Sequence, residues 1–222
     1  MKKTISPSLI CMDLCNLEKE VKELEGLGCD MLHVDIIDGI FSPDMPIGVD
    51  TVKQVRRHTN MAFDAHLMAA DNLPFVKLLC EAGIDRLCFH TEFEPRPNII
   101  IKEIKSHGIK AGIAISPETT VSSLIHLIEL CDFVLVMRID PGYAHLAGQG
   151  VYSFIDDKIK ELAKIRKEKG LNFEIEVDGR VGFDDIKPLS EIGVNTFVSG
   201  TKGYFSPDNT KEENWKKLSE KL

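Results

Sequence analysis

One pattern constrains this chain more than any other. A short apolar run, a stretch with apolar residues three or four apart, and then another apolar run recur from end to end. Read this way, strands are expected at 5–9, 31–35, 61–68, 86–90, 110–115, 133–137, 173–177 and 196–199. Helices are expected at about 17–27, 49–58, 73–82, 99–107, 121–130, 154–169, 183–192 and 212–221. Eight strand–helix units in 222 residues predict a single α/β domain over 1–222, a (β/α)8 TIM barrel. An open Rossmann-like sheet is the competing fold. It would want G-x-G-x-x-G directly after an early strand, and none is present.

Barrels build their active sites from the loops after the strands, so the strand ends are where chemistry is sought. The second run and its turn read His33-Val34-Asp35-Ile36-Ile37-Asp38-Gly39. Side chains two apart on a strand point the same way, so His33 and Asp35 share a face near the mouth. The third run ends in Asp64-Ala65-His66-Leu67-Met68 and adds an imidazole, and the seventh ends in Val177-Asp178-Gly179 and adds a carboxylate. One histidine at a strand end is more often a hydrogen-bonded structural residue than a ligand. Four such residues, His33, Asp35, His66 and Asp178, on three ends that converge on one mouth point instead to one divalent metal site. Zn²⁺, Mn²⁺, Fe²⁺ and Co²⁺ all suit two imidazoles and two carboxylates. A metal so held can polarise a carbonyl and stabilise an enediolate, while Asp35 and Asp178 act as base and acid.

Glycines gather in the late loops: Asp140-Pro141-Gly142, Gly148-Gln149-Gly150, Val177-Asp178-Gly179 and Ser199-Gly200-Thr201-Lys202-Gly203. Loops seven and eight of a barrel commonly cradle a phosphate with backbone N–H groups, although ordinary turns use glycine too. Gly179 and Gly200-Thr201, directly after consecutive strands, are the candidates. Met12, Met68 and Met137 lie at or just past strand ends, either as core packing or as a soft apolar wall over the reacting carbons. Ser8 ends the first strand, where it can hydrogen-bond a substrate or cap.

The chain is 43% hydrophobic and 28% charged, enough for one sizeable core. Its net charge of −8, with no Lys/Arg cluster, argues against nucleic acid or an anionic membrane as partner. A local cationic pocket for a phosphate remains compatible with that balance. Leu9-Ile10-Cys11-Met12 is cut short by Asp13, so neither a signal peptide nor a membrane span is expected, and the cytoplasm is the expected compartment. Cys11, Cys15, Cys29, Cys80, Cys88 and Cys131 form no C-x-x-C pair and are expected to be buried reduced thiols. Cys11 lies nearest the mouth.

Taken together, Ser6-Pro7-Ser8-Leu9, H-V-D-I-I-D-G-x-F-x-P from His33 to Pro43, Ala65-His66-Leu67-Met68, Asp140-Pro141-Gly142, Glu176-Val177-Asp178-Gly179 and Gly200-Thr201 resemble the ribulose-phosphate 3-epimerase family. The resemblance runs in order from Ile5 to Phe205. The wording S-P-S-L-x-C-M-D-L, E-I-E-V-D-G and V-x-G-T-x-G-x-F resembles the D-allulose-6-phosphate 3-epimerase branch more than the pentose-phosphate enzymes. By resemblance, His33, Asp35, His66 and Asp178 match the family's metal ligands, and Asp35 and Asp178 its acid/base pair. Ser8, His66, Met68 and Met137 match substrate-site positions, and Gly148, Gly179, Gly200 and Thr201 match the phosphate loops. The implied reaction inverts C3 of a ketose phosphate through an enediolate, with D-allulose 6-phosphate and D-fructose 6-phosphate as the expected pair and D-ribulose 5-phosphate and D-xylulose 5-phosphate as the alternative. The expected partners are that small molecule, one divalent metal ion and further copies of the chain in a homo-oligomer.

Three departures from the family pattern bear on the substrate. Ile37 stands where the family usually has Met, Arg180 stands where many members have a second glycine, and the loop from Asp140 to Gln149 is longer by about three residues than the family's D-P-G-F-x-G-Q. Glycines at both ends of that loop suggest a mobile cover over the sugar. Two other functions compete with epimerisation. A metal-free phosphosugar lyase or decarboxylase would want a Lys at a strand end, and neither the second nor the third strand ends in one. A barrel that only binds a sugar phosphate would not need both carboxylates.

Overall fold

The computed structural model describes residues 1–144 and 148–222. Eight parallel strands form one sheet: β1 (Thr4–Pro7), β2 (Met31–Ile37), β3 (Ala62–Met68), β4 (Arg86–His90), β5 (Lys110–Ile115), β6 (Phe133–Met137), β7 (Glu174–Asp178) and β8 (Thr196–Ser199). They alternate with α1 (Leu17–Gly26), α2 (Val49–Arg56), α3 (Asn72–Glu81), α4 (Pro97–Ser106), α5 (Ile125–Ile128), α6 (Ile155–Glu168), α7 (Ile186–Glu191) and α8 (Lys211–Ser219). The strand order β1-β8-β7-β6-β5-β4-β3-β2 is that of a (β/α)8 barrel, with β1 and β2 at its two ends. A single parallel bridge between Ser8 and His33 joins those ends. The seam of the barrel therefore runs through two residues the sequence marks as functional.

Strands covered on both faces explain the near-continuous apolar runs. One set of strand side chains, including Leu32, Val34, Phe63, Ala65, Leu67 and Val177, packs outward with helix residues such as Leu24, Val52, Val76, Leu79 and Ile159. Fully burying one such aliphatic or Phe side chain is worth roughly 1.5–3 kcal/mol, so this layer is the main source of stability. A second, smaller cluster of Cys88, Ala114, Phe133, Leu135, Met137, Ile139 and Val198 fills the barrel itself. Gly112 is required there, because a Cβ on it would lie 2.6 Å from Cζ of the Phe133 ring.

The structure departs from the sequence reading in several places. Leu9 opens a 3-10 turn, Leu9–Cys11, instead of ending β1. β2 runs to Ile37, two residues further than expected, before Asp38 turns the chain by accepting from the N–H groups of Ile40 (2.8 Å) and Phe41 (2.7 Å). The expected helix over 121–130 is a 3-10 turn, Val121–Leu124, followed by the one-turn α5. Ser123 there bonds the Thr120 carbonyl through its hydroxyl, the local competition that makes serine a poor interior helix residue. Of the six free cysteines, Cys29, Cys88 and Cys131 are buried, but Cys15 is exposed and Cys11 and Cys80 are half-buried. No helix among the described residues is long and apolar enough to cross a membrane.

Candidate active site

The alternation of β2 and β3 delivers two rows of polar side chains into the barrel. The register pairs His33 with Asp64, Asp35 with His66 and Ile37 with Met68. β7, whose Asp178 lies beside Met137 of β6, adds Glu176 and Asp178 from the other side of the seam. As a result one ligand atom from each of His33, Asp35, His66 and Asp178 lies within 4.8 Å of the others. His66 Nδ1 is 3.2 Å from Asp35 Oδ1 and 3.9 Å from Asp178 Oδ2.

The donor set and its protonation fit a cation. His33 Nδ1 donates to Asp64 Oδ2 at 2.9 Å, which in the neutral ring leaves Nε2 bare. That nitrogen is buried without a hydrogen-bond partner, 3.3 Å from Asp35 Oδ1. Two lone pairs facing each other at that range repel unless a cation stands between them. Without a cation there, although burial opposes a charged imidazole, the Asp35 charge and hydrogen bonds to Asp35, Asp64 and Glu176 hold the His33 pKa well above its ordinary value, so a cation arriving at Nε2 would take the place of a proton. Burial also works against the Asp35 carboxylate, but His33 and His66 outweigh it and hold that group well below the usual range. Asp178 shifts the opposite way, raised by burial and then by the Asp35 charge. Carboxylates pushed apart in this way are the usual mark of an acid and a base sharing one site. Either these four side chains or the deeper set His33, Asp64 and Glu176 could hold a metal ion, but Asp64 and Glu176 of the deeper set already pair with Arg86.

Beneath the site lies a charged network that sequence reading missed. Arg86 at the start of β4 reaches Asp64 Oδ1 (2.9 Å), Glu176 Oε2 (2.5 Å) and Glu174 Oε2 (2.7 Å), and its guanidinium lies 3.7 Å from the Phe133 ring centroid. Burial and the neighbouring Asp64 raise Glu176 to about 8 despite Arg86, so it holds a proton at neutral pH. Asp64 itself stays ionised, since Arg86 and His33 outweigh its burial. Asp64 sits two residues before His66, the same alternation that marks His33 and Asp35, so the signal for it was present. On the far side of His66, His90 Nε2 lies 2.9 Å from His66 Nε2. Burial is the largest influence on His90 and holds it near 4, in the neutral form.

Above these groups opens a pocket of about 320 Å³. Ser8, Asp35, Met68, Met137, Asp178, Gly179, Gly200 and Thr201 line it, as the sequence leads one to expect, and so does Ile37. Gly148 does not, nor does Met12, which packs in the outer core. His33 and His66 are fully buried below the pocket floor. Gly179, at φ +109°, is needed: a Cβ would stand 2.8 Å from Ile139 Cγ1. The turn after β8 is equally tight, since a Cβ on Gly203 would stand 2.3 Å from Ser199 Oγ. Arg180 takes a left-handed backbone, φ 57°, that a glycine adopts freely, and places a cation on the pocket wall with Lys202. The loop after β6 is tied at its base, where Gln149 Nε2 (2.9 Å) and Tyr152 Oη (3.0 Å) both donate to Asp140. Those bonds hold the base of the expected cover, whose expected bulk, His145 and Leu146, lies outside the described residues.

A pocket at the C-terminal ends of eight parallel strands, walled by two carboxylates with two imidazoles buried beneath it, has the layout of a TIM-barrel active site. The sequence matches the Ribulose-phosphate 3 epimerase family over residues 4–204. The ribulose-phosphate 3-epimerase of Bacillus subtilis (strain 168) is 35% identical over 208 residues, 93% of this chain and 94% of that protein. That of Treponema pallidum (strain Nichols) is 32% identical over 203 residues, 91% of each. The chain belongs to the ribulose-phosphate 3-epimerase family and is a carbohydrate-phosphate epimerase of the isomerase class. Among solved structures, 3-keto-L-gulonate-6-phosphate decarboxylase from Vibrio cholerae aligns with a TM-score of 0.73 at 16% identity, covering 100% of this chain and 97% of that one. That likeness concerns the fold alone.

Proposed function

We propose that this ketose-phosphate 3-epimerase interconverts D-ribulose 5-phosphate and D-xylulose 5-phosphate, with Asp35 and Asp178 exchanging the C3 proton. The observation that carries the reading is the pair of carboxylates delivered from β2 and β7 to one imidazole, His66, at the pocket floor. Inversion at a carbon needs proton removal on one face and proton delivery on the other, hence two separate groups. The five-carbon substrate rests on the names of the relatives, which displace the hexulose phosphate suggested by the branch-like motifs.

His33, Asp35, His66 and Asp178 would hold a divalent cation. When bound, it would polarise the C2 carbonyl and offset negative charge on the enediolate oxygens. The ionised Asp35 removes the C3 proton, and Asp178 returns one to the opposite face. Ser8 orients Asp35 through its hydroxyl. Met68, Met137 and Ile37 supply an apolar wall that keeps water from the carbanionic centre. The phosphate lies against the turns after β7 and β8, where Gly179, Gly200 and Thr201 offer backbone N–H groups and Arg180 and Lys202 offer charge.

The test compares epimerisation of D-ribulose 5-phosphate and D-allulose 6-phosphate, with and without chelator, in deuterated water. The pentulose phosphate should turn over with the higher kcat/KM, label should enter C3, and chelation should abolish both. Asp35→Asn and Asp178→Asn should each lose roughly 10²–10⁴-fold in rate. Full activity in stoichiometrically metal-free protein sinks the metal reading, and faster turnover of the hexulose phosphate sinks the substrate reading.

A further inference from the structure

The pair His90 and Glu92 has no part in the steps above, yet it sits directly behind His66, one of the four candidate ligands. His66 presents Nδ1 to Asp35 and Asp178 and Nε2 to His90 Nε2, 2.9 Å away. Two ring nitrogens at that distance share one proton. The rest of the chain decides which ring owns it. His90 Nδ1 lies 3.2 Å from Glu92 Oε2 and 3.3 Å from Ser116 Oγ, a hydroxyl that can accept the same proton. Glu92 is itself fixed: its Oε1 accepts from the Ser116 N–H at 2.9 Å and from the Thr119 hydroxyl. A carboxylate can only accept, so it draws the His90 proton to Nδ1 and leaves His90 Nε2 bare. His90 Nε2 then accepts from His66 Nε2–H, and His66 Nδ1 is left with a free lone pair aimed at the cluster. The Phe41 ring, its centroid 4.8 Å from that of His90, packs against the relay and limits rotation of the imidazole.

Asp35 favours the opposite arrangement, because its Oδ1 would accept a proton on His66 Nδ1. A ligand nitrogen carrying a proton cannot bind a cation. The two carboxylates at the ends of the relay therefore compete for one tautomer. We infer that Glu92, acting through His90, is a positioning residue that holds His66 in the Nδ1-free tautomer required for binding a divalent cation. The inference rests on the metal reading above.

Two measurements on the full-length protein test it. The first is Zn²⁺ affinity by competition with a chromophoric chelator. Glu92→Gln keeps an acceptor for Ser116 and Thr119 but offers His90 an N–H donor, which reverses the relay. It should weaken Zn²⁺ binding about 10–100-fold, the usual effect of losing an outer partner of a ligating histidine. His90→Leu should do the same. His90→Gln, which can accept from His66 and donate to Glu92, should stay within about threefold of the parent protein. Thermal melts of the metal-free variants separate this from damage to the fold, since Glu92→Gln should melt with the parent. The second is long-range ¹H–¹⁵N spectroscopy of the zinc-loaded protein, which should show the proton on Nε2 of His66 and on Nδ1 of His90. Unchanged Zn²⁺ affinity in both Glu92→Gln and His90→Leu, or a proton on His90 Nε2, overturns the relay while leaving the metal site standing. Parent protein whose His33 and His66 resonances do not respond to Zn²⁺ overturns the metal reading and the relay with it.

Discussion

Ser8 Oγ donates to Asp35 Oδ2 at 2.8 Å, across the seam where β1 and β2 share one bridge instead of a ladder. Both residues are buried, so this hydroxyl is the contact that fixes which carboxylate oxygen faces His33 and His66. A hydrogen bond to a charged group contributes about 1.5–3 kcal/mol. Ser8→Ala should therefore lower kcat by roughly 10–100-fold, with a smaller change in KM, because the lost contact orients a reacting group and not the phosphate. Steady-state kinetics decide it. An unchanged kcat with a raised KM would make Ser8 a substrate-binding residue alone.

Arg86 makes the complementary point about stability. It lies among Asp64, Glu174 and Glu176, and its side chain is 5% exposed. Removing one partner of a buried ionic cluster leaves the others uncompensated, typically at about 3–5 kcal/mol. Arg86→Met should destabilise the fold by that amount in urea titrations. It should also loosen His33, whose Nδ1–H bond to Asp64 depends on the same network. Adding Glu176→Gln should recover little, since Glu176 already carries a proton at neutral pH. Full recovery in the double variant would contradict that protonation state.

These two residues show what the sequence made legible. Ser8, His33, Asp35, His66 and Asp178 announce themselves locally, because a polar side chain at every second position of an apolar run at a strand end has no packing purpose. Arg86 does not. It begins its strand, where a charged residue looks like an ordinary solvated boundary, and its partners Glu174 and Glu176 lie 88 and 90 positions away. Barrel closure alone brings them together. His90 and Glu92 were hidden for a related reason: a single histidine ending an apolar run reads as structural until a second imidazole is seen against it. The helix expected at 121–130 fails for a different reason: its apolar spacing is helical, but Ser123 bonds the Thr120 carbonyl and the segment opens as a 3-10 turn.

Cys11 lines the pocket with surroundings that keep its thiol protonated. Burial, with added push from Asp35 and Asp178, raises its thiol to about 12. At pH 7.5 that leaves a thiolate fraction on the order of 1 in 10,000 or less, and the thiolate is the nucleophile. Iodoacetamide at that pH should label the exposed Cys15 and leave Cys11 unmodified. Peptide mass mapping after a timed exposure reads the result directly. Labelling of Cys11 at a rate like that of Cys15 would show that the pocket is wetter, and its carboxylates more screened, than this geometry implies.

Arg180 carries a backbone cost that it must recover elsewhere. It is the one non-glycine residue at positive φ among those described, and a left-handed backbone costs such a residue roughly 1 kcal/mol or more. Its Nη2 donates to the Ala144 carbonyl at 3.2 Å, while Nε is buried with no partner. An unsatisfied guanidinium N–H beside Gly179, Gly200 and Lys202 is what a dianionic phosphate would satisfy. Arg180→Gly relieves the backbone and removes the charge together, so the thermal midpoint should hold or rise. KM for the ketose phosphate should increase about 10-fold or more, the loss expected for one charge-assisted hydrogen bond, and inhibition by inorganic phosphate should weaken in proportion. Arg180→Lys keeps the strained backbone and the charge but loses the planar fork, and should fall between the two. A glycine variant with a raised melting point, an unchanged KM and undiminished phosphate inhibition would assign Arg180 to the Ala144 contact alone.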